Sequence, residues 1–455
     1  MGWRVMVLAV VLAGCSSAPR EWERPWLPEP APYEAAGGAV VEGTHPIDLP
    51  TVMRLAGANS LDVAWVREKV HEAHARRSLA VEKFLPTIGP SLHYKRHTGE
   101  TQGTEGNFVD VTKQQTFAGG SGTLSWQAGE AVYATLSASR RLDGARVVLD
   151  GAERAAVLDA AIAYYDLVRE TRKASIAADS VAAAEKMAAE FDAAVQAGRG
   201  FRGDVLRARV RAADSRLQQS RALAAARQAS IRLVSLLRLA PGIDLSPAEE
   251  TPTRLALVPE GTTTRDWIDR ALATRPEVAA AVAESEAAGH DVDAAVYGPL
   301  VPEVSASASG GQLGPTLGEA DDTADYVVSL GWRIGPGGLF DVGRRDLAAS
   351  KRGQSEVELA RARQRVVDEV RQAHAALLNR AEQIALAEQE VKDAHEALEL
   401  NRERQEAGMG IPLEYLEAEI SLARAHQDHA AALADYNQAQ LRLLIQSGGT
   451  LPSGR

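Results

Sequence analysis

Two histidine pairs are the residues of this chain whose types and spacing most resemble a chemical site. His71 and His74 stand three apart, as do His426 and His429. On a helix, residues three apart share a face, so each pair could offer two imidazoles to one metal ion. Neither pair has a cysteine or a third histidine close in sequence, and a solvated helix face accounts for both more simply. The chain carries no phosphate-binding loop, nucleophile elbow or zinc-protease signature. The expectation is no enzyme, no bound metal and no cofactor, with any energy supplied by a partner.

The single cysteine, Cys15, cannot form an internal disulfide. Arg4 precedes a short apolar run, Val5 to Ala13, that closes with Leu12-Ala13-Gly14-Cys15. The run is shorter than the roughly 20 apolar residues of a spanning helix and reads as a secretion signal over residues 1–14. Its ending resembles the lipobox of bacterial lipoproteins. That resemblance implies cleavage before Cys15 and covalent lipid, palmitate included, on it; Ser16 then suits sorting to the outer membrane. No other segment is long and apolar enough for a spanning helix. Should the chain cross a membrane, strands of a closed barrel are what remain, because lipid leaves no backbone group unsatisfied.

The elements that would position these residues follow from composition and period. The 455 residues carry a formal charge of -11, which argues against a nucleic-acid binder. Only 5% are aromatic, and alanine fills much of the apolar fraction, as suits closely approaching helices. Residues 15–46, rich in Pro, Ala, Glu and Gly, read as an extended leader. Beyond it one unit is written twice, at 47–245 and 246–446, before a tail at 447–455. Pro86 and Pro302 lie 216 apart, Trp126 and Trp332 206, Asp159 and Asp368 209, and Gly198 and Gly408 210. A repeat this long is a duplicated half, not a solenoid unit.

Each half is expected to hold a helix of roughly 30 residues, an alternating hairpin, and two long helices joined by a Gly-containing turn. The first helices run from about Ile47 to Phe84 and from Thr264 to Tyr297. Ile88, Pro90, Leu92 and Tyr94 alternate with Gly89, Ser91, His93 and Lys95; Val328, Leu330, Trp332 and Ile334 alternate with Val327, Ser329, Gly331 and Arg333. Period two marks strands. The polar stretches His97 to Gln115 and Gly310 to Ala324 read as long loops. From Val366, steps of four and three reach Val370, Ala373, Leu377, Ile384 and Leu398, and in the last helix Leu416, Ile420, Ala430 and Leu441. Seams this long predict coiled-coil packing. Two hairpins supply about four strands, too few to close a barrel, so membrane-spanning hairpins would require several copies. Trp126, Trp332, Tyr326, Phe117 and Phe340, on or beside the strands, suit interfacial girdles.

These segments resemble the TolC-like outer-membrane efflux family in its lipoprotein branch. The likeness rests on "IDLPTVMRLAGANS" from Ile47, "FLPTIGPSL" from Phe84, "GLFDVGRRDLAASKRG" from Gly338 to Gly353 and "EAGMGIPLEYLEAEISLARA" from Glu406 to Ala425. It implies a mainly α fold with a membrane β-barrel portion: a homotrimer forming a twelve-stranded outer-membrane barrel above a periplasmic α-barrel. It implies an outer-membrane channel conducting drugs, small molecules or metal ions passively from the periplasm to the exterior. A periplasmic adaptor and an inner-membrane pump would be its partners. Gly198, Gly200, Asp204, Gly408 and Gly410 would lie at tips that meet the adaptor. Glu414 and Glu417 match acidic pore-constriction positions, and in a trimer would form two carboxylate rings. Gly410 and Pro412 depart from the pattern, because some relatives carry an entrance-closing Arg where Gly410 stands. "AVYATLSASRR" replaces the "LFDVGRR" signature in the first half.

Two other readings share much of this pattern. A duct for type I protein secretion would look almost the same in sequence. A non-conducting periplasmic coiled-coil lipoprotein would keep its hairpins in water.

Overall fold

The structure, a computed structural model, describes residues 43–449 apart from 199, 241, 250, 251, 260 and 408–411. The expectations for the signal segment, Cys15, Gly408, Gly410 and residues 450–455 fall outside the described residues.

Each repeat has the same order of elements. The first holds β1 (Gly43–Ile47), α1 (Leu49–Asn59), α2 (Leu61–Glu82), β2 (Thr87–Gln102), β3 (Phe108–Trp126), α3 (Ala128–Gln196) and α4 (Arg202–Leu237). The second holds β4 (Ile243–Pro247), α5 (Thr264–Thr274), α6 (Pro276–Val296), β5 (Glu303–Gly314), β6 (Asp321–Gly331), α7 (Val342–Glu406) and α8 (Pro412–Gln446). Strands β1 and β4 pair in parallel, Gly43 with Ile243 through Ile47 with Pro247. The end of the stretch read as a leader is therefore a strand, and its partner lies where the two repeats join.

The opening helix of each repeat is broken, against the expectation of one run. Between α1 and α2, Ser60 is extended at ψ 129°, and its hydroxyl accepts from the Val63 amide at 3.4 Å, starting a new helix. Between α5 and α6, Arg275 is extended at ψ 132° because Pro276 follows, and a residue before proline is pushed out of the α region. Helix α5 also opens on a capping box, Thr263 with Asp266.

The chain packs as two units. Among the described residues, the helical unit draws on the chain up to Glu68, on Val148–Val278 and on the chain from Arg363 onward. In its core Ile47 and Val52 meet Tyr164, Leu167, Leu233 and Leu441. The seam expected in α7 is its buried row: Val366, Val370, Leu377, Ile384 and Ala387 are all buried. In α8, Leu416, Ala430, Ala434 and Leu441 are buried while Ile420 is exposed. Asn437, fully buried, pins a connecting segment, accepting from Leu255 N at 2.9 Å and donating to Thr253 O at 2.8 Å.

The sheet unit comprises Lys69–Val147 and Ala279–Ala362. Its four strands run antiparallel in the order β2-β3-β5-β6. The two stretches expected as long loops are mostly strand. Strand β2 continues to Gln102 and β3 starts at Phe108, so residues 103–107 alone turn the first hairpin; residues 315–320 turn the second. Polar residues occupy both faces there, which erases the period while the backbone ladder persists. Trp332 and Ile334 lie beyond the end of β6.

Candidate functional site: sheet face and helical tips

Alternate residues of a strand point to opposite faces, and the register carries that alternation across the sheet. Ile88, Leu92 and Tyr94 of β2 share a face with Leu124 and Trp126 of β3, with Val304 and Ala306 of β5, and with Tyr326, Val328 and Leu330 of β6. The opposite face carries Ser91, Ser121, Ser125, Ser305, Ser307, Ser309 and Ser329. The apolar face is bare: Ile88 is 79% exposed, Leu92 71%, Tyr326 80% and Val328 78%. Soluble proteins rarely present contiguous apolar surface of this kind without a partner or a membrane. Among the described residues, β2 and β6 each pair on one side only.

The aromatics expected as a girdle divide. Trp126 and Tyr326 stand on the apolar face, and Trp332 and Phe340 are exposed beside it. Phe117 does not join them. It is buried and stacks on His93 with ring centroids 5.1 Å apart, on the serine-bearing face.

In the helical unit, α3 ends at Gln196 and Gly198 reverses the chain at φ +73°, where a side chain would be strained. A Cβ on Gly200 would press on Val195 at 3.2 Å. Phe201, 81% exposed, precedes α4. Asp204 sits in the first turn of α4, where a carboxylate suits the helix N-terminus, and pairs with Arg207 at 3.0 Å. Behind this turn Met187, Phe191, Val205 and Ala208 pack with Leu416. That cluster brings the first tip against the start of α8, where Glu414 and Glu417 are both exposed. Glu414 lies 3.7 Å from Arg404.

Glu419, two residues further along α8, was not singled out in the sequence. It lines a cleft of about 310 Å³ with Lys186, Glu190, Arg402 and Tyr415. Burial pushes its carboxyl above the ordinary range; Arg211 opposes that, Glu190 adds to it, and Lys186 opposes it. The signal available was angular. Two residues are about 200° around a helix, so Glu419 faces away from Glu417 and toward the seam.

His71 and His74 are exposed. Burial holds His426 below the ordinary imidazole value, and Arg172, His429 and His395 add to that. No group of three or more metal-binding side chains converges among the described residues, and no described helix is long and apolar enough to cross a membrane.

A profile of the outer membrane efflux protein family matches residues 52–237 and 267–449, covering most of both repeats. No curated protein matches the chain in sequence. Several solved structures share the fold. A membrane protein from Pseudomonas aeruginosa is 20% identical with a TM-score of 0.77, over 90% of this chain and 91% of that one. The CmeC outer membrane channel of Campylobacter jejuni is 16% identical with a TM-score of 0.77, over 90% and 87%. The open state of the MtrE outer membrane channel of Neisseria gonorrhoeae is 18% identical with a TM-score of 0.73, over 89% and 90%. With the family profile spanning both repeats, and the fold shared along nearly its whole length, the chain belongs to the outer membrane efflux protein family and is an outer-membrane efflux channel.

Proposed function

We propose that this chain acts as a homotrimer, in which three four-stranded sheets join into one twelve-stranded barrel and the long helices form a periplasmic duct. The observation that carries this reading is the sheet itself. It has one bare apolar face, one serine-rich face and two strands with an unpaired side. Lipid tolerates no open edge, and four strands are half of the smallest barrel. Joining copies edge to edge removes every open strand and turns the serine face inward as a polar wall.

Lipid on Cys15 would anchor the assembly in the outer membrane. The tips at Gly198, Gly200 and Asp204, with Gly408 and Gly410, would receive a periplasmic adaptor linked to an inner-membrane pump. The chain itself conducts and does not catalyse, so drugs, small molecules or metal ions pass down their gradient. Glu414 and Glu417, exposed on the first turns of α8, would line the constriction in threefold copies. Rings of carboxylates favour cations.

Single-channel recording of the purified protein in planar bilayers tests this. A trimer-sized particle with cation-preferring pores is expected, and Glu414→Gln with Glu417→Gln should shift the reversal potential toward non-selectivity. Pores unchanged by both substitutions would remove the carboxylate rings. A monomer without pores would remove the duct.

A further inference from the structure

We propose that a band of opposite charges on the two outer strands, Lys95 and Arg96 of β2 against Asp321, Asp322 and Asp325 of β6, locks neighbouring copies of this chain together. The proposal rests on the oligomeric barrel above and names the side chains that join its seam.

The observation is an asymmetry between edges. Strands β2 and β6 stand at the two ends of the sheet order. On β2, Lys95 and Arg96 are consecutive and exposed, flanked by His93 and His97. On β6, Asp321, Asp322 and Asp325 are exposed at the strand's beginning. Among the described residues, none of these five charges has an ion-pair partner within the protomer, although charged side chains elsewhere are widely paired. One edge is thus basic and the other acidic, and each lacks the partner that the other presents.

Geometry narrows how they meet. Strands alternate in direction through β2, β3, β5 and β6, so β6 of one copy meets β2 of the next antiparallel. A shift of one residue would turn the apolar face inward, so acceptable registers differ by two. On β2, Arg96 shares the apolar face with Leu92 and Tyr94, and Lys95 shares the other with Ser91 and His93. On β6, Asp322 lies on the apolar face with Tyr326 and Val328, while Asp321 and Asp325 lie on the other. The faces therefore sort the charges: Arg96 can meet Asp322, and Lys95 can meet Asp321 or Asp325.

Three neighbouring registers satisfy this. The central one sets Arg96 opposite Asp322, and those on either side set Lys95 opposite Asp325 or Asp321. In each, the second pair is at most one diagonal step away, within reach of long side chains. In each, Pro90 and Leu92 stay against apolar side chains of β6. Glu100, the acidic residue of β2, falls beyond the start of β6 in all three. A charge band next to an apolar band also limits register slip, since moving the seam further sets none of these charges directly opposite one of the other sign.

The test uses the full-length, lipidated protein in detergent. Reversing the basic edge (Lys95→Glu with Arg96→Glu), or the acidic edge (Asp322→Lys with Asp325→Lys), is expected to raise the monomer fraction severalfold and lower the melting temperature of the oligomer. Combining all four substitutions is expected to restore both. Independently, one of the cysteine pairs Arg96→Cys with Asp322→Cys, Lys95→Cys with Asp325→Cys, or Lys95→Cys with Asp321→Cys should give a covalent ladder between copies on mild oxidation, and which one does so names the register. Thr112→Cys on β3 with Asp322→Cys should not, because β3 is an inner strand. The seam is overturned if the fourfold variant is no better assembled than either half, or if none of the pairs Arg96/Asp322, Lys95/Asp325 and Lys95/Asp321 cross-links in a wild-type-like oligomer. Wild-type protein that is monomeric and without pores would instead overturn the barrel reading itself.

Discussion

At the residue scale, the tip combines exposed acids with one acid held from water. Glu414 and Glu417 are exposed, whereas Glu419 lines a cleft, and its carboxyl is raised above the ordinary 4.5, by burial first. Its folded form therefore holds a proton more tightly than its unfolded form. By linkage, the folded tip loses stability as pH rises from the ordinary value through the raised one. Lys186 and Arg211 offset part of the cost and Glu190 adds to it. Glu419→Gln is thus expected to raise the melting temperature at pH 7 and to leave it unchanged at pH values below 4.5. Melting curves of both proteins across that range check this; a variant less stable at neutral pH would mean that the Lys186 and Arg211 attractions outweigh burial. The sequence did not distinguish Glu419 from its neighbours by type. Burial is set by which helices flank α8, and a single period in one helix does not say that.

At the element scale, much was legible and the misses share a cause. The seams of α7 and α8, the paired hairpins and the tip glycine Gly198 could be read because each leaves a period or a special residue. The loops that became strand could not, because from His97 to Gln102 and Asp110 to Gln115 nearly every side chain is polar and hydrogen bonding is carried by backbone. The break at Arg275 had a visible signal, Pro276, that the apolar period of the flanking helices outweighed. Strand β1 pairs with a partner 200 residues away, a distance no local pattern reports. Glycine marks one further junction. At the start of α3, a Cβ on Gly129 would stand 2.6 Å from the Gly298 carbonyl oxygen and 2.8 Å from its Cα. Both are backbone atoms and cannot rotate away, so Gly129→Ala should destabilise the sheet unit by about 1–3 kcal/mol. Gly203, in α4, has open space around its Cβ position. There the same change should stabilise by roughly 0.4–1 kcal/mol, through lost freedom of the unfolded chain. Chemical denaturation of the two alanine variants separates the effects; equal responses would argue against the close approach at Gly129.

At the scale of the whole molecule, the question is what keeps the protein in a membrane. Two independent attachments are implied, the lipid on Cys15 and the apolar face of the sheet. Acyl chains contribute about 0.8 kcal/mol for each buried CH2, and two or more anchor a protein stably. The sheet is a second hold of its own. Ile88, Leu92, Tyr94, Tyr326, Val328 and Leu330 are each more than half exposed in the protomer. Burying a large apolar side chain is worth about 1.5–3 kcal/mol, so each copy stands to gain on the order of 10 kcal/mol from lipid. The lipid should therefore direct sorting and speed insertion without being needed to hold the finished assembly. Cys15→Ser behind a cleavable secretion signal is expected to remain in the outer-membrane fraction, to resist high salt and carbonate, and to need detergent for release. A periplasmic coiled-coil spacer would behave in the opposite way, since its hairpins would already be satisfied by water and loss of the lipid would free it. Introducing Leu92→Asp and Val328→Asp together into the Cys15→Ser protein closes the argument. If the face holds the protein in lipid, these two charges should deplete it from the membrane fraction while the unacylated parent stays; if both proteins are released alike, the lipid alone was the anchor.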